Sequence, residues 1–477
     1  MAMIGAGKII SNTIFLTLSS LFNLIVSLIT TSIIARNLGP ELYGKYTFGL
    51  AYILLFSVFA NFGLESLFIR EVARDKKNID HMIVDIFHMK IFLALFTVLL
   101  VMTSVNFLGY PKSTITVIYI LCVGLFFQIL YEPVISVYKA FEKMSIVAIF
   151  RMGFRVVTAI IIILAIYFGM GLFGIVTAFS IGNAIVFMAS VALFYRNFRI
   201  MHFKLNPRKW VILIKAGFPF YVSALLYMVY LKTNVLMLSK MIADREIGLY
   251  MAAATLVEGL YFIPDAFNMS IFPAFSRIYG DSFGALKITF EKTIKYLTII
   301  TAGITSGTLL IGDRIVLLIY GREFVASIPA LKVLIFFWVF MFFSNTLSSL
   351  LFSIKKENLQ VRITGLALLI NIVLCYILIN QHGFLGAAWA PVITEALTIG
   401  IITFVLRNCN LKYKPDLFLL RLIVVIIAMS IIVKLLMNAN LLITISAGAF
   451  SYIFFLFFLR IFNKQEINYL LSAIKRH

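Results

Sequence analysis

Long apolar runs alternate with short polar gaps along nearly the whole of this 477-residue chain. A helix needs about 20 predominantly apolar residues to cross the hydrocarbon core of a bilayer. Applied to this sequence, that length predicts fourteen membrane-spanning helices joined by short connections. The predicted spans cover residues 9–35, 43–69, 82–108, 113–138, 145–168, 171–195, 210–239, 246–276, 287–312, 325–353, 358–380, 384–406, 416–437 and 440–461.

Composition supports an all-α integral membrane protein. Hydrophobic residues make up 62% of the chain and charged residues 13%, whereas soluble domains carry about 25% charged residues. The first apolar run, 9–35, is too long for the core of a signal peptide, so we expect it to be a retained first span. The three cysteines have no paired spacing, which predicts neither a disulfide framework nor a zinc site.

Basic residues in the gaps indicate how the spans are oriented. With a cytoplasmic N-terminus, fourteen spans put most gap Lys and Arg on the cytoplasmic side, as membrane topology favours. The sequence therefore predicts a multi-pass plasma-membrane protein with both termini in the cytoplasm. The net charge of +21 then reflects topology and contact with anionic lipid headgroups, and not nucleic-acid binding. The tail 463–477 carries Ile467, Leu470, Leu471 and Ile474 on one helical face, which predicts a helix on the inner membrane surface.

Several segments recur in order at an offset of 204 to 214 residues. GPELYGKY (39–46) matches ADREIGLY (243–250), so that Gly44 aligns with Gly248, and GLFGIVTA (171–178) matches GFLGAAWA (383–390). Each copy would contain six spans and enter from the same side, which predicts two parallel six-helix lobes around an axis along the membrane normal. The predicted domains are an N-lobe (1–205), a C-lobe (206–410), and helices 13 and 14 with the tail (411–477). Such an arrangement leaves a cleft between the lobes and suits alternating access.

Four features stand out as motifs: IIARNLGPELYGKYTFG (33–49), NFGLESLFIREVARDK (61–76), the later IGLYMAA (247–253) and the two glycine-rich starts of spans six and twelve. In these motifs the chain resembles the polysaccharide repeat-unit flippases of the multidrug/oligosaccharidyl-lipid/polysaccharide exporter superfamily. The resemblance covers the whole chain, including the number of spans. It implies a cationic cavity and the flipping of a polyprenyl-linked sugar from the cytoplasmic to the outer leaflet.

Basic residues within the spans are candidates for binding that substrate, because a charge at membrane depth requires a partner or a cavity. Arg151 and Arg155 are four residues apart and share a helix face, where two guanidinium groups suit a diphosphate. Pairing with Glu132 or with lipid phosphate is the alternative. Lys232 is the C-lobe candidate, with snorkelling to the outer headgroups as its alternative. Lys90 and Arg362 complete the set, although both positions also suit anchors at the inner interface.

Acidic residues within the spans offer a coupling site or a counter-charge. Glu258 and Glu395 lie near mid-membrane with Pro264 and Pro391 close by, and Asp265 is a weaker member of the group. A carboxylate there would bind H⁺ or Na⁺ during transport, or neutralise Lys232 or Arg155. The sequence leaves both possibilities open.

The sequence contains no phosphate-binding loop or catalytic constellation, so we expect a transporter that is not an enzyme and holds no cofactor. We expect a flippase for a polyprenyl-(di)phosphate-linked oligosaccharide used in surface polysaccharide assembly, with a glycan polymerase or ligase as a partner. One alternative is a cation-coupled multidrug antiporter, which would prefer a cavity lined by carboxylates and aromatics. Another is a membrane scaffold that recruits glycan enzymes through basic segments such as 196–210.

Overall fold

The structure is a computed structural model that describes residues 2–62, 64–65, 68, 79–141, 143–197, 207–411 and 417–462. The predicted amphipathic tail and most of the 196–210 gap lie outside these residues. Helices account for most of the described chain, and no strand occurs within those ranges. The α-helices are α1 (Ala2–Asn61), α2 (Ile79–Phe107), α3 (Lys112–Ala140), α4 (Met144–Tyr167), α5 (Gly171–Asn197), α6 (Pro207–Met241), α7 (Asp244–Glu258), α8 (Phe262–Asp281), α9 (Phe283–Ile319), α10 (Ile328–Ser353), α11 (Glu357–Asn408), α12 (Phe418–Leu435) and α13 (Leu441–Phe458), with a 3₁₀ helix at Arg322–Ser327 before α10.

Within the described residues, 11 helical stretches are long and apolar enough to cross a membrane. The prediction of an all-α, multi-pass membrane protein is therefore confirmed. Two of these stretches are far longer than one crossing requires. The stretch in α1 has 44 residues and α11 has 52, whereas a single crossing takes about 20.

Both long helices are interrupted by a glycine in a left-handed conformation. Gly39 in α1 has φ 69° and ψ 173°, and Gly383 in α11 has φ 57° and ψ −138°. Residues with a Cβ rarely adopt such angles, and glycine does so without steric cost. Pro40, which follows Gly39, suits the first turn of a new helix segment. The two interruptions fall in the gaps predicted between spans one and two and between spans eleven and twelve.

The predicted span 246–276 is divided into α7 and α8 at residues 259–261. Pro264 explains the position of the break, because a proline ring clashes with the carbonyl four residues earlier, here that of Leu260. The freed Leu260 carbonyl accepts a hydrogen bond from the Trp338 indole at 3.3 Å. A neighbouring side chain thus supplies the hydrogen bond that this carbonyl lost at the break, as an apolar environment requires.

The chain forms two compact units. The first contains the chain up to Gly259 together with Ile319–Phe324 and Thr364–Ala390, and the second contains Leu260–Leu318, Val325–Ile363 and the chain from Pro391 onwards. In the first unit, α6 and α11 share a buried polar cluster in which Asn234 accepts hydrogen bonds from Asn371 at 3.0 Å and Cys375 at 2.9 Å. In the second unit, the Tyr452 hydroxyl of α13 donates to the Ile299 carbonyl of α9 at 2.6 Å.

Candidate functional site

A cavity with a volume of about 410 Å³ lies in the first unit. Helices α1, α3, α4 and α5 and the short stretch around Glu65 form its walls. Its lining combines charged groups, two amides and several aromatic rings, so the cavity is polar although it lies among membrane-spanning helices. The lining residues are Asn23, Glu65, Gln128, Tyr131, Glu132, Ile135, Lys139, Phe150, Arg151, Phe154, Arg155 and Val186.

The two predicted arginines of α4 both line this cavity. At a rise of 1.5 Å per residue, Arg151 lies about 10 Å and Arg155 about 17 Å along α4 from Met144. Among the described residues, neither guanidinium has a carboxylate within salt-bridge distance. The helix spacing predicted that they share a face, and the structure brings both to one polar surface.

The two carboxylates of this cavity are each matched by a lysine. Glu132 lies 3.1 Å from the Lys90 ammonium, which also donates to the Asn61 side chain at 3.3 Å. Glu65 forms a salt bridge with Lys139. The Lys90 side chain is only 3% exposed, so the structure puts it behind the cavity wall and leaves Glu132 at the surface. After these pairings, Arg151 and Arg155 give the cavity a net positive charge.

A second cavity, of about 250 Å³, adjoins the first. Phe154 and Arg155 line both cavities. Lys232 and Glu258 lie in the wall of the smaller one, with the Lys232 ammonium 3.4 Å from the Glu258 carboxylate. Of the two roles left open for Glu258, this structure has the carboxylate beside Lys232 as a counter-charge. The remaining cation of the smaller cavity is Arg155.

The other predicted site residues belong to the second unit. Arg362 is exposed near the start of α11, Asp265 is exposed in the first turn of α8, and Glu395 is buried within α11. None of these three is among the residues that line the two cavities. Glu65 and Lys139 line the arginine-lined cavity, although neither was among the predicted site residues.

One sequence signal for the cavity lay in α3. Gln128, Tyr131, Glu132, Ile135 and Lys139 follow helical spacing and all line the larger cavity. Taken as a face, this row would have indicated a polar wall opposite the arginines of α4. Sequence reasoning considered Glu132 alone and so missed it.

The sequence pattern of the polysaccharide biosynthesis protein family matches residues 9–279. The pattern of the MatE family matches residues 219–377. A Shigella flexneri protein named for O-antigen transport is 25% identical over 413 residues, which cover 82% of this chain and 97% of that protein.

Two solved structures share the fold. A lipid II flippase, MurJ, in an inward closed conformation has a TM-score of 0.76 and 16% identity, and the match covers 94% of this chain and 99% of that one. An inward-facing multidrug resistance transporter of the MATE family has a TM-score of 0.69 and 14% identity over 82% of this chain and 94% of that one. The resemblance to the flippase superfamily found in the sequence is thus confirmed. Since one family pattern spans more than half of the sequence and the helices follow this shared fold, the chain belongs to the polysaccharide biosynthesis protein family.

Proposed function

We propose that this protein is a flippase that moves a polyprenyl-(di)phosphate-linked oligosaccharide from the cytoplasmic to the outer leaflet. The observation that carries the proposal is the position of Arg155, which lines both cavities and has no carboxylate partner among the described residues. A diphosphate is an anion with several acceptor oxygens, and guanidinium groups bind such anions through paired hydrogen bonds. Arg151 and Arg155 together suit it.

The rest of the larger cavity suits the sugars of such a substrate. Asn23 and Gln128 offer amide donors and acceptors, and Tyr131 and Phe154 offer aromatic faces whose ring centres lie 6.0 Å apart. Hydroxyl groups of a sugar need hydrogen-bond partners when they leave water. A polar cavity supplies those partners, whereas the hydrocarbon core supplies none. The polyprenyl chain has no such need and remains in lipid.

Alternating access is the transport mechanism that we propose. The diphosphate first binds Arg151 and Arg155 in the larger cavity, and Arg155 then keeps hold of it as it enters the smaller cavity. There the Lys232 ammonium exchanges its Glu258 partner for the phosphate oxygens. Release of Glu258 at this step gives H⁺ or Na⁺ a carboxylate to bind, which would couple ion movement to transport.

The proposal includes fourteen spans, both termini in the cytoplasm and a location in the plasma membrane. The glycine breaks of α1 and α11 each turn one long helix into two spans, and α6 adds a further span. Anionic lipids and a glycan polymerase or ligase are the proposed partners. The protein would act as a transporter and carry out no chemical step itself.

Transport in liposomes tests this function. We expect purified protein to move a polyprenyl-diphosphate oligosaccharide across the bilayer, as measured by access of an added glycosidase to the sugar. Because charge-assisted hydrogen bonds contribute about 1.5–3 kcal/mol, Arg155→Gln should slow flipping at least tenfold. Arg151→Gln should have a smaller effect because Arg151 lines only the larger cavity. Arg277→Gln is the matched control, since Arg277 is exposed on α8 and lines neither cavity.

The MatE match gives a second candidate, a multidrug antiporter. The same liposomes therefore receive an organic cation and an ion gradient. Movement of the cation without movement of the lipid-linked sugar would overturn the flippase proposal. Movement of neither would favour the scaffold alternative. If the Arg155→Gln variant flipped the substrate at the rate of the Arg277→Gln control, the assignment of Arg155 to substrate binding would be overturned.

A further inference from the structure

Two cations at equivalent positions of the predicted repeat make the same kind of contact. Arg36 and Lys240 differ by the repeat offset of 204 residues. The Arg36 guanidinium donates to the Ile319 carbonyl at 3.1 Å, and the Lys240 ammonium donates to the Leu108 carbonyl. Each cation lies near the end of the first span of its own copy.

The two carbonyls also occupy equivalent places, but each in the opposite copy. Leu108 directly follows α2, the third predicted span, and Ile319 ends α9, the ninth. A tyrosine and a glycine with positive φ follow at both junctions, with Gly109 at φ 65° and Gly321 at φ 87°. The cation of each copy therefore binds the third-to-fourth junction of the other. All of these residues belong to the first unit.

Tyr110 contacts Lys240 directly, and Tyr320 packs the other junction against α1. The Lys240 ammonium lies 3.5 Å from the ring centre of Tyr110, whose hydroxyl lies 2.9 Å from the Ser239 hydroxyl. Burial raises the pKa of the Tyr110 phenol above its ordinary value, so the ring stays neutral beneath the ammonium. Tyr320 is almost fully buried and packs on Tyr43 with ring centres 6.2 Å apart.

A pair of glycines shows the same reciprocal pattern, in which each glycine approaches a backbone carbonyl of the other repeat. A Cβ on Gly44 would lie 1.9 Å from the Asp244 carbonyl oxygen, and a Cβ on Gly248 would lie 1.9 Å from the Pro40 carbonyl oxygen. Both glycines and both carbonyl residues are related by the offset of 204. Contact of residue i with j, and of their equivalents in reverse, is the sign of an isologous interface around a twofold axis. A local pseudo-twofold axis thus passes between Gly44 and Gly248.

These contacts lie at the opposite helix ends from the larger cavity. Helix α3 begins at Lys112, beside the Leu108 junction, and ends at Ala140, beside the cavity residue Lys139. About 40 Å of helix separates its two ends. The contacts therefore join the two repeats at the end of the first unit away from the arginine-lined cavity.

We propose that Arg36 and Lys240 are two pseudo-symmetric latches, each binding the third-to-fourth junction of the other repeat, that together hold the outer side closed. The closed state has both latches made, and opening breaks both. A cation bound to a carbonyl at an exposed position is only modestly stabilising, so both latches can release in one cycle. Because they act on the same closed state, loss of either shifts the protein towards the outward-open state.

Cysteine labelling from the outer side tests the latches without any substrate, and so independently of the flippase proposal. Thr31→Cys reports on the smaller cavity and Gln128→Cys on the larger one. In each background, Arg36→Gln or Lys240→Gln should raise the rate of labelling at position 31 by an impermeant maleimide at least threefold. The double variant should raise it about tenfold. Labelling at position 128 from the inner side should fall in the same variants.

Two neighbouring cations serve as matched controls. Lys112 and Arg322 are exposed beside the two junctions, and Lys112→Gln and Arg322→Gln should label at the parental rate. An unchanged rate at position 31 in both latch variants would overturn the proposal. A faster labelling rate at position 31 in only one of the two latch variants would overturn the claim that the two contacts act as equivalent latches. A rise at positions 31 and 128 together would signal general loosening and would also count against a latch.

Discussion

At the scale of single residues, pairing decides which charges remain available to a substrate. Lys90 and Arg155 are both cations within predicted spans, and insertion cost alone does not distinguish them. In the structure the Lys90 ammonium lies 3.1 Å from the Glu132 carboxylate, whereas Arg155 lines two cavities. Lys90 is therefore paired with Glu132, and Arg155 remains the candidate for binding an anion.

Removal of Glu132 should expose the cost of the buried Lys90 ammonium. We expect Glu132→Leu to destabilise the protein by about 2 kcal/mol, because loss of one partner of a buried pair costs 3–5 kcal/mol and Glu132 is 35% exposed. Lys90→Met in addition should restore much of that loss. Thermal unfolding in detergent is measured for both single variants and for the double variant. The comparison gives the coupling free energy between Lys90 and Glu132.

An exposed pair in the second unit provides the control. Lys332 and Asp313 lie 2.8 Å apart with side chains 37% and 47% exposed, and such pairs contribute about 0–1 kcal/mol. Lys332→Met should therefore leave the melting temperature nearly unchanged. If Glu132→Leu were equally mild, or if Lys90→Met failed to compensate, Lys90 would not depend on Glu132 for its burial.

The sequence could identify these charges but not their partners. Depth within a span singled out Lys90, Arg151, Arg155 and Lys232, since the bilayer makes charges rare there. Partners come from neighbouring helices, and Lys90 and Glu132 are 42 residues apart. Glu258 beside Lys232 was one of two open alternatives for that carboxylate.

At the scale of helices, backbone breaks follow from local chemistry that is visible in the sequence. Pro264 divides the predicted span 246–276, and Gly39 divides α1. The sequence prediction had 246–276 as one span, whereas the helix breaks at residues 259–261, because the proline acts on a carbonyl four residues earlier. The partner of that carbonyl, Trp338, comes from a helix distant in the chain and could not be predicted.

The close approach at Gly44 and Gly248 should tolerate no side chain. Alanine is favoured over glycine in a helix by about 1 kcal/mol, so propensity alone predicts that Gly44→Ala and Gly248→Ala stabilise the protein. We expect both to destabilise it, because a Cβ would lie 1.9 Å from a backbone carbonyl oxygen. The measurement is the yield of folded protein and its melting temperature in detergent.

Gly307→Ala is the matched control for these variants. Gly307 lies within α9, and no atom lies within 4 Å of an added Cβ. This variant should be neutral or slightly stabilised, in keeping with helix propensity. If Gly44→Ala and Gly307→Ala had the same melting temperature, the backbone at Gly44 would lie further from the Asp244 carbonyl than the structure has it.

At the scale of the whole molecule, the apolar pattern was enough to predict an all-α membrane protein. The number of crossings depends on how the two broken helices are counted. If α11 crossed once, Lys355 and Asn410, which flank its two ends, would face opposite sides of the membrane. If Gly383 divides it into two spans, both residues face the same side.

Reporter residues at those two positions decide between the alternatives. We expect Lys355→Cys and Asn410→Cys to be protected from an impermeant maleimide in intact cells and to react after permeabilisation, because fourteen spans put both in the cytoplasm. Lys112→Cys, at an exposed position in the predicted outer connection between α2 and α3, should react without permeabilisation and serves as the control. Reaction of only one of the first two positions in intact cells would mean that α11 crosses once. The N-terminus and the C-terminus would then lie on opposite sides of the membrane. The prediction of parallel six-helix lobes would also have to be abandoned, because each copy needs an even number of spans for both to enter from the same side.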